Sequence, residues 1–233
     1  MTGAASTSTT EERRAALEAI ATEVRACTSC RLAKERTRAV PGEGHPDTEV
    51  VFVGEGPGQT EDQQGRPFVG RAGDLLVRML GTIGWRRQEV FITNVVKCRP
   101  PGNRDPEPDE IAACAPYLQR QLEILDPAVV VTLGRFSMGQ FRPGERITQV
   151  HGTSAPAPDA TGTRDALTYS LFHPAAALRS TDVERQSYAD MAGLPRILTE
   201  ARARRAPVAA APTTPTPPPS AEAPDTAPAA TLF

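Results

Sequence analysis

The sequence predicts an α/β protein, a three-layer α/β/α domain around a central, mostly parallel four-stranded sheet. Three observations predict it. Four apolar runs, Val50–Glu55, Val90–Val96, Ala128–Gly134 and Leu167–Phe172, are continuous and rich in Val, Ile and Phe, the pattern of strands buried on both faces. Helical patterns fall between them, so strand alternates with helix and right-handed crossovers are expected. The 233 residues, 39% of them hydrophobic, are enough for one sizeable core.

Ser8 and Glu11 have capping-box spacing, and Leu17, Ile20 and Val24 then recur at helical intervals, so a first helix is expected to run into Cys27. After the first strand, Ala72–Ile83 carries Leu75, Leu76, Met79 and Leu80 on one helical face. After the second, Asp109–Leu125 carries Ile111, Cys114, Leu118 and Leu122 in the same way. The third and fourth strands follow, and a last helix covers roughly Val183–Arg205. The expected organisation is a disordered N-terminus over 1–10, a folded domain over 11–205 and a disordered tail over 206–233. That tail holds eight of the 23 prolines and almost no large apolar residue, so it buries too little surface to fold.

Composition narrows the function classes. No apolar run approaches the roughly 20 residues of a membrane helix, and MTGAASTSTTEERR lacks the apolar segment of a secretory signal, so a cytoplasmic protein is expected. The net charge of −2 gives no global basic signature. Nucleic-acid binding therefore requires a local patch, for which Arg31, Lys34, Arg36 and Arg38, with Lys97, Arg99 and Arg104, are the candidates.

All four cysteines fall into a spaced set, Cys27-x2-Cys30, Cys98 and Cys114. In a reducing compartment this argues for a metal or cluster rather than disulfides. Cys27 and Cys30 are expected one turn apart at the end of the first helix, Cys98 at the close of a strand and Cys114 on the next helix. Four thiolates suit either zinc or a [4Fe–4S] cluster. The turn Glu55-Gly56-Pro57-Gly58 leaves the carboxyl end of the first strand, where ligands of α/β sheets sit. It matches neither the dinucleotide fingerprint nor the phosphate loop, and no helix is expected to open directly after it. Gly70 and Gly73 precede a helix whose free N–H groups suit a phosphate. Thr93-Asn94 ends the second strand, where an amide offers an acceptor and donors in fixed geometry. His173 follows the last strand and precedes a proline, whereas His45 and His151 read as structural or surface residues.

In this order, Cys27–Cys30, GEGPG with Glu61-Asp62 and GRPFVGRAG, TNVVKCRPP with Cys114, and HPAAALR resemble the family 4 uracil-DNA glycosylases, the iron–sulfur branch of their superfamily. The likeness spans about Cys27 to Leu198. It implies excision of uracil from single- or double-stranded DNA by hydrolysis of the N-glycosidic bond, with a structural [4Fe–4S] cluster on Cys27, Cys30, Cys98 and Cys114. It further implies that Phe68 stacks on a flipped uracil, Asn94 reads its polar edge, Glu61 crowds the thymine methyl and His173 donates to O2. Gly54, Glu55 and Gly56 would complete the pocket floor, and Leu178 and Arg179 would wedge into and hold the duplex. Other uracil glycosylases orient water with an Asp where Gly56 stands here, which leaves Glu55 as the neighbouring carboxylate. The covalent family X branch carries a His in an insertion after the third cysteine; Arg99–Pro106 has neither. A monomer is expected. The terminal Thr231-Leu232-Phe233 resembles the apolar end of short sliding-clamp-binding peptides.

Overall fold

A computed structural model describes residues 8–205. The expected tail and the Thr231-Leu232-Phe233 terminus lie outside the described residues. Along the chain run α1 (Thr10–Ala26), β1 (Glu43–Gly44), β2 (Val50–Gly54), α2 (Gln59–Gln64), α3 (Arg71–Thr82) and β3 (Phe91–Asn94). Then follow α4 (Pro108–Leu125), β4 (Val129–Leu133), α5 (Arg135–Phe141), α6 (Ile147–Val150), β5 (Ser154–Pro156), β6 (Leu167–Leu171), α7 (Pro174–Ala177) and α8 (Thr181–Arg205).

The sheet order is β1-β3-β2-β4-β6-β5. The four expected strands form its parallel centre. Every residue of β2, β4 and β6 is buried, as continuous apolar runs require of strands covered on both faces. Two short antiparallel edge strands, β1 and β5, extend the sheet to six. With two and three residues each, they are too short to carry a hydrophobic pattern.

Alternation along the strands sorts side chains into two cores. Val50 and Phe52 pack with Leu75, Leu76 and Met79 of α3 and Met191 and Leu194 of α8. Val51 and Val53 pack with Ile20 and Val24 of α1 and Leu118 and Leu122 of α4. At about 1.5–3 kcal/mol per buried large side chain, these faces dominate the cohesion of the three layers. Among the described residues no helix is long and apolar enough to cross a membrane.

Three local expectations shift. The capping box of α1 uses Thr9 and Glu12, one residue later than Ser8 and Glu11: the Thr9 hydroxyl accepts the Glu12 N–H and the Glu12 carboxylate accepts the Thr9 N–H. The ordered body thus begins before residue 11. A helix does open directly after the glycine-rich turn, since Gly58 is the residue before α2. Cys27 caps α1, but Cys30 lies past the helix at the head of a short 3-10 turn, and Cys98 lies beyond the end of β3.

The chain leaves β2 toward α3 on one face and leaves β3 toward α4 on the other. The connections from β2 to β3 and from β4 to β6 run in opposite directions along the sheet, so the switch point where open α/β sheets bind ligands lies between β2 and β4.

Candidate active site

All four parallel strands deliver residues from their carboxyl ends into one cavity of about 540 Å³, within the usual range of small-molecule sites. Glu55 follows β2, Asn94 ends β3, Gly134 follows β4, and Phe172 and His173 follow β6. Gly54 and Asn94 are register partners across the sheet. The Val95 and Val96 N–H groups donate to the carbonyls of Gly54 and Glu55 at 2.9 and 3.0 Å, so the pairing continues past the strands and holds the Glu55–Gly58 turn.

Gly54 has to be glycine. A Cβ there would overlap Asn94 Oδ1 and stand 2.6 Å from the Phe68 ring. Asn94 and Phe68 thus close over the same point of the floor. Asn94 is only 1% exposed, yet its Oδ1 has no hydrogen-bond partner. A buried acceptor left unpaired costs about 1–3 kcal/mol, and this one belongs to a residue that lines the cavity.

Phe68 adopts φ 48°, a left-handed backbone that costs a non-glycine residue roughly 1–2 kcal/mol. Its ring centroid lies 5.7 Å from that of His173. Glu61, on α2, accepts the Val69 and Gly70 N–H groups at 2.9 and 2.8 Å, which fixes its carboxylate between the turn and the start of α3. That carboxylate takes the Gly70 N–H, one of the groups at the N-terminus of α3 that suit a phosphate, and Gly73 lies inside α3 rather than before it.

His173 caps α7: its Nδ1 accepts the Ala175 N–H at 3.1 Å. Nδ1 therefore carries no proton, and in the neutral ring the proton sits on Nε2. Burial pushes the imidazole pKa down to about 4, with Glu61 opposing and the Arg179 charge adding to the depression. His173 is a neutral Nε2–H donor over the physiological range. Glu55 moves the other way. Burial, reinforced by the Asp105 charge and opposed by Arg135, raises its carboxyl to about 6.

The second cavity is small and lined by Cys27, Cys30, Cys98 and Cys114 together with Arg36 and Tyr117. Burial pushes Cys114 up to about 11 and also raises Cys98. For Cys27 burial is outweighed by hydrogen bonds from Ser29 and Tyr117, and the net direction is down. Among the described residues no three His, Cys, Asp or Glu side chains are grouped closely enough to hold a metal ion.

Lys97, Arg104, Arg31 and Arg36, four of the seven candidates for a basic patch, are engaged within the protein, while Lys34 and Arg38 stay exposed. Lys97 is 1% exposed; its Nζ donates to Thr93 Oγ1, the Asn94 carbonyl and Gln121 Oε1 at 2.6, 2.8 and 2.8 Å. Arg104 neutralises the fully buried Glu110 at the start of α4, Arg31 pairs with Asp109, and Arg36 donates to Cys98 Sγ at 3.1 Å. Arg179 lines the pocket mouth, exposed. Leu178 is half-buried against the core below it. His45 is exposed, and His151 pairs with Asp190 at 2.8 Å, as structural readings of both require.

Asp105 and Arg135 form an ion pair at the pocket and escaped notice in the sequence. Gly134-Arg135 follows a buried parallel strand just as Gly54-Glu55 does, and that position alone marks it as site-facing.

The family model described as "Uracil DNA glycosylase superfamily" matches residues 41–192. The type-4 uracil-DNA glycosylase of Sulfurisphaera tokodaii is 50% identical over 72% of this chain and 79% of its own length. Those of Saccharolobus solfataricus and Thermotoga maritima are each 47% identical, over 72% and 74% of this chain and 80% and 88% of their own. The matched span contains the whole pocket, from Glu55 to Arg179, and on these findings the chain belongs to the uracil DNA glycosylase superfamily.

Proposed function

We propose that this protein is a uracil-DNA glycosylase of base excision repair, hydrolysing the N-glycosidic bond of uracil in single- or double-stranded DNA. The observation that carries the reading is the buried, unpartnered Asn94 Oδ1 in a cavity roofed by Phe68 and His173. Uracil presents an N3–H beside the O4 acceptor, which pairs with the oxygen and the NH₂ of one amide. Cytosine has no proton at N3, so with the amide in this orientation its N3 would face Oδ1 acceptor to acceptor.

A base reaches such a pocket only by leaving the stack. Phe68 then supports its face, and the Glu61 carboxylate, held by two backbone amides, stands where a 5-methyl would intrude. As the C1′–N1 bond breaks, the electron pair leaves with the base and negative charge gathers on O2. The neutral His173 Nε2–H donates there. A donor aimed at developing charge in a dry site contributes roughly 3 kcal/mol. Water adds to C1′ and loses a proton, giving free uracil and an abasic sugar. Glu55, ionised above about pH 6, is the carboxylate beside Gly56 that orients this water. Arg179 at the mouth holds the phosphate backbone, with Leu178 beside it.

We assign Cys27, Cys30, Cys98 and Cys114 as ligands of a [4Fe–4S] cluster. The four thiols line one cavity, and a four-thiolate donor set suits such a cluster. When bound it supplies a structural tie between α1, α4 and the segment after Asn94. The protein acts as a monomer on this reading, and the Thr231-Leu232-Phe233 terminus is a proposed sliding-clamp contact, tested by deleting those three residues and measuring clamp binding.

The deciding experiment incubates the protein with single-stranded and duplex oligonucleotides carrying one uracil, followed by alkali and a denaturing gel. Cleavage at the uracil is expected. Intact strands from brown, folded protein would instead identify a non-catalytic nucleic-acid-binding module.

A further inference from the structure

The left-handed Phe68 is held from behind by a residue that does not line the pocket. Arg87, in the 3-10 turn Arg87–Glu89 just before β3, donates from Nη1 to the Phe68 carbonyl at 2.9 Å and from Nη2 to the Pro67 carbonyl. Its side chain is 14% exposed, and Glu43 of β1 accepts from its Nε and Nη2 at 3.2 and 2.9 Å. Glu43 also accepts from Arg66 at 2.8 Å. Glu61 meanwhile takes the amides of Val69 and Gly70, and Gly73 lacks the Cβ that would overlap the Phe68 carbonyl. The segment Pro67–Gly70 is gripped by an arginine on its carbonyls and a carboxylate on its amides.

We propose that Arg87 is a positioning residue of the uracil pocket, holding Phe68 in the left-handed conformation that turns its ring toward His173 and the bound base, with Glu43 holding Arg87 in turn. The inference rests on the reading of Phe68 as the stacking surface. A non-glycine residue persists at positive φ only where its surroundings over-determine it. Arg87 is the one side chain among the described residues that donates to the carbonyls of both Pro67 and Phe68. Lysine cannot replace it, because a point ammonium lacks the planar fork that spans two carbonyls and a carboxylate at once. Without the clamp Phe68 relaxes to negative φ and its ring leaves the roof of the pocket. Arg87 touches neither base nor sugar, so it acts on excision only through Phe68.

That last property makes the test sharp. Single-turnover uracil excision is measured, with enzyme in excess and long time courses, for the wild type, Arg87→Met, Phe68→Ala and the double variant, alongside their melting temperatures. Arg87→Met is expected to slow excision ~10–50-fold when Phe68 is present but no more than ~2-fold in the Phe68→Ala background, the non-additivity of a coupled pair. An equal loss in both backgrounds would show a merely structural arginine, and no loss in the wild-type background would also overturn the proposal. If Arg87→Met does not fold, Glu43→Gln loosens the same guanidinium while keeping it in place. Its smaller loss must show the same dependence on Phe68. A wild type that released no uracil would sink the glycosylase reading and this inference with it, an outcome distinct from an active wild type indifferent to Arg87.

Discussion

The two cavities lie on either side of the short bend from Asn94 to Cys98, and they are built on opposite principles. The pocket at the strand ends keeps its groups in costly states: an unpaired buried amide oxygen, a phenylalanine at positive φ, an imidazole with its pKa depressed to about 4. The cysteine cavity draws its sulfurs from positions 27, 30, 98 and 114, joining elements distant in sequence. Between them the buried Lys97 side chain ties Asn94 to Thr93 and Gln121, and the Lys97 backbone N–H reaches Cys114 Sγ at 3.4 Å. The contrast teaches that costly conformations in a pocket stand beside a framework tied together by buried hydrogen bonds. Changes in the pocket should move rate with little effect on stability, and changes at the cysteines should do the reverse.

His173→Asn tests the first half most severely. Asparagine retains a side-chain acceptor for the cap of α7 but presents no imidazole Nε2–H. We expect excision to fall ~10²–10³-fold with the melting temperature nearly unchanged; a rate within ~3-fold of wild type would remove His173 from the chemistry. Gly54→Ala is next. The added methyl pushes Asn94 and Phe68 apart, and misplacement on this scale costs ~10²-fold in excision, while a fully active variant would mean that neither side chain is fixed where the base binds.

Cys98→Ser probes the second half. We expect colourless protein that melts several degrees lower, a loss of about 2–4 kcal/mol, while whatever activity survives keeps its preference for uracil over cytosine. A brown, equally stable variant would break the comparison.

The smallest effect is in pH. Excision should rise through about pH 6 as Glu55 ionises, and Glu55→Gln should flatten that limb. The stability signs follow from the same shifts. Glu55, raised above its ordinary 4.5, contributes stability that is present below that value and lost as pH rises through about 6. For His173 the unfolded ring binds a proton near 6.5 and the folded ring only near 4, so stability falls as pH drops across that window. Calorimetry of Glu55→Gln and His173→Asn against pH should show each slope vanish separately.

The strands of the parallel centre were readable because burial on both faces demands unbroken apolar runs, and no other element here has that demand. The helices α1, α3, α4 and α8 were readable from their periodic apolar faces. The edge strands β1 and β5 and the one-turn helices α6 and α7 carry too few residues for any period to show. Lys97 and Arg104 read as candidates for a nucleic-acid-binding patch, since a sequence gives a charge's position along the chain but not the buried partners that engage it. Asn94, Phe68, Glu61 and His173 could be named from motifs and strand ends, and the structure brings all four into one cavity.

What the sequence alone determined is the layered fold and the residues that end its strands, because periodicity and local turn chemistry act over a few neighbours. The tertiary structure decided the rest. The positive φ of Phe68, the grip of Arg87 on its carbonyl, the orphaned oxygen of Asn94 and the burial of Lys97 each arise where segments 19 or more residues apart pack together, or where a side chain loses its water to them. Strain, desolvation and pairing are properties of the space between segments, and that space exists only once the chain has folded.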